Sequence, residues 1–149
     1  MNATLPMMTR DVIVVPPELS LDAAWAVMRR ENVHHLPVVR GGELLGMLSD
    51  RDVLRRSTPG KGDELVVPST LVGEAMTPAP IVCEADVSLG HLVRLMAERR
   101  IDAIPIVTPS KRLIGLVTST DLLFSLVGFD DTRPLPIRFE LRRAEIAKA

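Results

Sequence analysis

Ser49-Asp50-Arg51-Asp52 and Thr118-Ser119-Thr120-Asp121 are the two stretches whose residue types and spacing suit a defined piece of chemistry. Each follows an apolar run and sets a hydroxyl three residues before a carboxylate. Two kinds of chemistry use that spacing. In a capping box the hydroxyl and the acid satisfy the exposed N–H groups of a helix start, with no ligand involved. In a nucleotide site the carboxylate accepts from both ribose hydroxyls, while the hydroxyl and the helix start meet a phosphate. The spacing alone leaves both open, although an aspartate that holds ribose cannot fully serve the cap.

The remaining reactive side chains do not assemble into a catalytic set. A nucleophile, a base and a stabiliser must lie within reach of one another, and the only further candidates are His34, His35, His91 and Cys83. An enzyme is not expected. His34 and His35 are neighbours at a strand start, so they point to opposite faces and cannot readily chelate one metal ion. Cys83 is the single cysteine, which excludes an internal disulfide and a multi-thiolate metal site within the chain. His91 falls in the first turn of a helix, where exposure is the ordinary fate of a histidine.

The elements that must position these residues come in duplicate. Sliding the sequence by 68 residues lays MTRDVIVVPPELSL (8–21) on MTPAPIVCEADVSL (76–89), matching Met8 with Met76, Thr9 with Thr77 and Ser20 with Ser88. The register continues through Met28 on Met96 and Pro37 on Pro105. It then moves by one residue, so that Gly46 meets Gly115 and Asp52 meets Asp121, because the second copy has a longer turn (VTPSKRL against VRGGEL). Cys83 falls within the matched IVV (13–15) and IVC (81–83) segments and reads as a small core residue.

Each copy reads as β-α-β-β-α, an α+β pattern. Ser20 and Ser88 are the expected N-caps of helices whose stripes are Leu21, Ala24, Trp25, Met28 and Leu89, Leu92, Val93, Met96. HLPVV and IPIV are short strands joined by turns to LLGML and LIGLV, as hairpins require. Pro37 and Pro105 cannot donate to a ladder, so each belongs where no backbone N–H is needed. The expected organisation is repeat 1 over 5–57, a Gly/Pro-rich linker over 58–72, repeat 2 over 73–127 and a tail over 128–149. From Arg133 onward the tail has five basic and two acidic residues, with room for a short helix after Pro136.

Bulk properties exclude other classes. The 149 residues carry a formal net charge of -1, and the aromatics are only Trp25, Phe124, Phe129 and Phe139. There is neither a basic field nor a set of stacking platforms for nucleic acid. No apolar run is long enough to span a bilayer and the start MNATLPMMTRD lacks a signal pattern, so a cytoplasmic protein is expected.

The repeated pattern of Met-Thr, Ser-Leu-x-x-Ala/Leu, Leu/Ile-Pro-Val/Ile-Val and Gly-x-x-Ser/Thr-x-x-Asp resembles two CBS domains in tandem, a stand-alone Bateman module of bacterial type. The resemblance implies a pseudo-two-fold pair enclosing two clefts for adenosyl ligands: AMP, ADP, ATP, NAD or S-adenosylmethionine, with no required cofactor. It implies that each cleft takes Ser/Thr-x-x-Asp from one repeat and base-contacting strands from the other. One cleft would then join Thr118 and Asp121 with Ile13, Val33, His34 and His35. The other would join Ser49, Arg51 and Asp52 with Ile81, Ile101, Asp102 and Ala103. The histidines favour phosphate in the first cleft, whereas Asp102 opposes it in the second unless Arg51 supplies a guanidinium. A homodimer that signals to a separate effector protein is expected. The competing expectation is a ligand-free dimerisation or docking module for another protein.

Overall fold

The computed structural model describes residues 11–127, 132–134, 138 and 140–145. Met8, Thr9, Phe129 and Phe139 lie outside them, as do Pro136 and residues 137, 139 and 146–149 of the segment expected to be helical after it; residues 140–145 are not helical.

In the first repeat, helix α1 (Leu21–Glu31) leads to a hairpin of β1 (His35–Arg40) and β2 (Glu43–Ser49), followed by α2 (Asp50–Arg56). In the second, α4 (Leu89–Arg99) leads to β6 (Ala103–Val107), β7 (Leu113–Thr118) and α5 (Ser119–Phe124). The two hairpins share one register: His35 pairs with Ser49 and Val38 with Gly46, as Ala103 pairs with Thr118 and Ile106 with Gly115. Both bulge at the next step, after Val38 and after Ile106. The fold is therefore α+β, with each helical stripe lying on its own hairpin.

The first strand of each copy is shorter than its apolar run suggests, reduced to one parallel rung, Val15 to Val38 and Cys83 to Ile106. Proline explains why. Val15 N–H donates to the Pro37 carbonyl at 3.1 Å and Val39 N–H to the Val15 carbonyl at 3.0 Å. The next rung toward the N-terminus would need an N–H from residue 37 for the Ile13 carbonyl, and proline has none. Pro105 ends the ladder in the same way beside Ile81.

Two apolar cores result. Leu21, Ala24, Met28, Leu36, Val38, Leu48 and Val53 fill the first; Cys83, Leu92, Met96, Ile104, Ile106 and Val117 fill the second. Cys83 is thus a core residue, and burial pushes its thiol above the ordinary range, away from nucleophilic use. The second stripe is less covered than expected: Leu92 and Met96 are buried, but Leu89 and Val93 are exposed. Ser88 caps α4, its hydroxyl accepting from His91 N–H at 3.1 Å. Ser20 does not cap α1, because its hydroxyl turns to Asp22.

The segment between the repeats is structured. It holds a small hairpin of β3 (Thr58–Pro59) and β4 (Leu65–Val66), and runs into α3 (Val72–Ala75) and β5 (Thr77–Pro78) at the start of repeat 2, where β5 pairs with β2. Val72 and Ala75 are buried in the first core, and Leu21 N–H and Val72 N–H donate to the Thr70 and Leu19 carbonyls. Its apolar residues give it surface to bury, so it docks on repeat 1 instead of running free. The hairpins also meet directly: Leu44 N–H donates to the Lys111 carbonyl and Leu113 N–H to that of Gly42, at 3.0 and 3.1 Å.

Candidate functional site

β2 ends at Ser49 and β7 at Thr118, and at each the chain turns straight into a short helix. Both turns are complete capping boxes. Ser49 Oγ accepts from Asp52 N–H at 3.2 Å, while Asp52 Oδ2 accepts from Ser49 N–H at 2.8 Å and from Ser49 Oγ–H at 2.9 Å. Thr118 Oγ1 accepts from Asp121 N–H at 3.3 Å, and Asp121 Oδ2 accepts from Thr118 N–H at 2.8 Å. One carboxylate oxygen on each aspartate is thus committed to its cap, and Oδ1 of each takes no hydrogen bond among the described residues. The cap and a further polar contact can coexist on one side chain.

The two expected clefts are one continuous groove of about 1160 Å3 between the repeats, larger than the roughly 300–1,000 Å3 that holds one small molecule. From the first expected set it is lined by Ile13, Val33, His34, His35 and Thr118; Asp121 is not on its wall. All of the second set line it: Ser49, Arg51 and Asp52 from repeat 1, with Ile81, Ile101, Asp102 and Ala103 from repeat 2. The walls repeat each other, Ile13 opposite in role to Ile81 and Val33 to Ile101, and they are aliphatic. Where Pro37 and Pro105 stop the ladders, the Ile13 and Ile81 carbonyls have no ladder donor. Each end therefore offers an aliphatic surface, a bare backbone acceptor and a hydroxyl, and the Ser49 end adds the half-engaged carboxylate of Asp52.

The charged centre of the groove is unequal. His34 Nδ1 donates to Asp50 Oδ2 at 3.1 Å, and Asp50 Oδ1 accepts from Arg51 N–H at 2.8 Å. Burial lowers the His35 pKa below its ordinary value, partly offset by Asp50 and Asp102 and reinforced by His34 and Arg51. Burial thus disfavours the charged form of His35, whose charged neighbours are Asp50, Asp102, His34 and Arg51. Of the two phosphate donors expected for the Thr118 end, His34 is engaged and His35 is held back from its charged form. Arg51 and Arg100 supply permanent positive charge at the groove. Arg100, in the left-handed conformation at φ 53° that ends α4, was not singled out by the sequence reading; nothing local marks it except the end of the helical period.

No group of three or more potential metal ligands occurs among the described residues. His91 is exposed at the start of α4, away from the groove. Among the described residues no helix is long and apolar enough to cross a membrane.

Comparison with known proteins adds independent findings. The CBS domain family model matches residues 4–58 and again 72–128. The chain is 34% identical over 122 residues to the CBS domain-containing protein YhcV of Bacillus subtilis, covering 82% of this chain and 84% of that protein. It is 32% identical over 140 residues to the inosine-5'-monophosphate dehydrogenase of Korarchaeum cryptofilum. That match covers 94% of this chain but only 26% of the dehydrogenase, about a quarter of its length. Among solved structures, CBSX2 in complex with AMP superposes with a TM-score of 0.76 at 24% identity, over 87% of this chain and 99% of that one. The CBS domain pair of MJ0100, in complex with 5-methylthioadenosine and S-adenosylmethionine, gives 0.71 at 23% identity, over 84% and 95%. The cytosolic domain of the Mg2+ channel MgtE, in complex with ATP, gives 0.65 at 28% identity, over 80% and 46%. At under 25% identity the first two likenesses speak to fold.

Proposed function

The chain belongs to the CBS domain family as a tandem pair, and we propose that its inter-repeat groove binds an adenine nucleotide or another adenosyl compound and signals that ligand to a separate protein in the cytoplasm. The observation that carries this reading is the groove itself, on whose wall Ser49, Asp52 and Thr118 meet the aliphatic strands of the opposite repeat. A hydroxyl and a half-free carboxylate suit phosphate and ribose, and Ile13, Val33, Ile81 and Ile101 suit the faces of a base. The complex of MgtE with ATP supports the same ligand class.

Signalling follows from where the ligand sits. A molecule touching both repeats favours one relative placement of them, and that bias is the output. Thermal unfolding with AMP, ADP, ATP, NAD and S-adenosylmethionine tests the binding. A ligand at one hundred times its dissociation constant adds about 2.7 kcal/mol, which is roughly 5–10 °C for a chain of this size. No shift with any of the five removes this reading and favours a docking module.

The module acts as a homodimer in this proposal. Leu123, Phe124, Leu126 and Val127, at the end of repeat 2, are 66, 70, 59 and 75% exposed, a contiguous apolar surface suited to burial against a second copy. Phe124→Asp is expected to halve the mass measured by sedimentation equilibrium without lowering helix content. A wild-type protein that sediments as a monomer at micromolar concentration rejects the dimer.

A further inference from the structure

We infer that the Arg51–Asp102 ion pair sets the charge preference of the groove: Asp102 holds the guanidinium that a ligand phosphate must take over, and so discriminates among adenosyl compounds. This inference rests on the adenosyl reading of the groove given above.

The pair arises from a broken equivalence between the repeats. Asp50 N–H donates to the His34 carbonyl at 2.9 Å, and Ser119 N–H donates to the Asp102 carbonyl at 2.8 Å. The pseudo-two-fold therefore equates His34 with Asp102, Asp50 with Ser119 and Arg51 with Thr120. In repeat 1 the side chains at these places satisfy each other, through His34 and Asp50. In repeat 2 the acid has moved to the strand position and its neighbour is a serine, so the Asp102 carboxylate has no cation within its own repeat. Arg51 of repeat 1 answers it across the groove, Nη2 to Oδ2 at 3.8 Å. Among the described residues this is the ion pair that joins the two repeats; the other three each lie within repeat 1.

Its geometry suits displacement. The side chains of Arg51 and Asp102 are 70% and 52% exposed, and 3.8 Å is longer than a charge-assisted hydrogen bond, so water competes well for both. A phosphate offers the guanidinium two oxygens in the plane of its fork, which the more distant carboxylate does not. Taking Arg51 leaves Asp102 bare beside a second anion, so each phosphorylated ligand meets an opposing charge. Adenosine disturbs neither partner. A sulfonium, as in S-adenosylmethionine, is attracted by the same carboxylate. The other charged groups on the groove wall are Asp11, Asp50, held by His34, Asp52, held in its cap, and Arg100.

Calorimetry of wild type, Arg51→Gln and Asp102→Asn with ADP, adenosine and S-adenosylmethionine tests the assignment, with melting of each unliganded protein to verify folding. Arg51→Gln is expected to lower the ADP-to-adenosine affinity ratio at least tenfold, the scale of hydrogen bonds to a charged group. Asp102→Asn is expected to raise that ratio about threefold and to lower the S-adenosylmethionine-to-adenosine ratio by a similar factor, the scale of an exposed charge pair. Arg51→Lys, which keeps the charge and loses the fork, falls between wild type and Arg51→Gln. If Asp102→Asn leaves the ADP-to-adenosine ratio unchanged or lowers it while wild type binds, the discriminating role of Asp102 is rejected and the groove reading stands. If wild type binds none of the three compounds, the groove reading is rejected and this inference with it.

Discussion

Asp52→Asn reduces adenosyl affinity about a hundredfold at its end of the groove while leaving the helix that follows in place. The expectation comes from dividing the work of the carboxylate between its two oxygens. Oδ2 of Asp52 takes the Ser49 N–H at 2.8 Å. An asparagine can present its amide oxygen in that place, so the cap loses charge but keeps its geometry, at a cost below about 1 kcal/mol. A ligand hydroxyl loses more, because its acceptor becomes an N–H2 donor. Hydrogen bonds to a charged group contribute about 1.5–3 kcal/mol each, and about 2.7 kcal/mol is a hundredfold in affinity. Ser49→Ala supplies the opposite case, because it removes the cap hydroxyl and leaves the Asp52 carboxylate. Calorimetry beside thermal unfolding separates the outcomes. An Asp52→Asn variant that melts lower and still binds as wild type identifies the Ser49 to Asp52 turn as a capping box and nothing more.

Much of the fold was legible because it is local and stated twice. The match of Gly46 with Gly115 and of Asp52 with Asp121, recovered after a one-residue shift, is the same equivalence that appears as His35 opposite Ser49 and Ala103 opposite Thr118. A periodicity of two, a proline and a capping spacing are all properties of a few consecutive residues. Pro37 and Pro105 announce a missing donor, but that this shortens each first strand to one rung became visible only with the parallel partner.

What the sequence concealed depends on how distant pieces dock. The region 58–72 has the composition of a linker, yet Thr70 and Val72 bond back to Leu21 and Leu19, and Val72 with Ala75 completes the first core. The resemblance implies two clefts, and residues of both sets line one groove; the hairpins also meet at Leu44 and Leu113, a contact no periodicity encodes. The charge pattern was hidden for a similar reason. His34 looked like a phosphate donor until Asp50, sixteen positions later, was seen to occupy its ring nitrogen. Arg51 is expected in the same cleft as Asp102, but that the two side chains face each other at 3.8 Å depends on how the repeats dock.

Gly46→Val is expected to damage stability and binding together, which follows from how closely β5 approaches β2. A β-carbon at residue 46 would stand 2.5 Å from Met76 Sδ and 2.7 Å from the Thr77 carbonyl oxygen. The methionine side chain can swing away, but the Thr77 oxygen is backbone, held in register by the pairing of Met47 with Thr77 and of Gly46 with Pro78. Room for a valine therefore requires β5 to leave the sheet. Overpacking of this kind costs about 1–3 kcal/mol, and loss of the rungs puts this case near the upper figure, a fall of roughly 6–12 °C in melting temperature. Binding falls as well, because Thr77, Pro80 and Ile81 continue from β5 into the groove wall. Gly90→Ala is the control of opposite sign: the site in the first turn of α4 has nothing within 4 Å, and alanine there loses less conformational freedom on folding than glycine. Circular dichroism melts of the two variants with and without ADP provide the measurement. A Gly46→Val protein that melts with wild type and keeps its ligand shift would mean that β5 does not pack on β2 as described, and the groove wall would have to be rebuilt from another anchor.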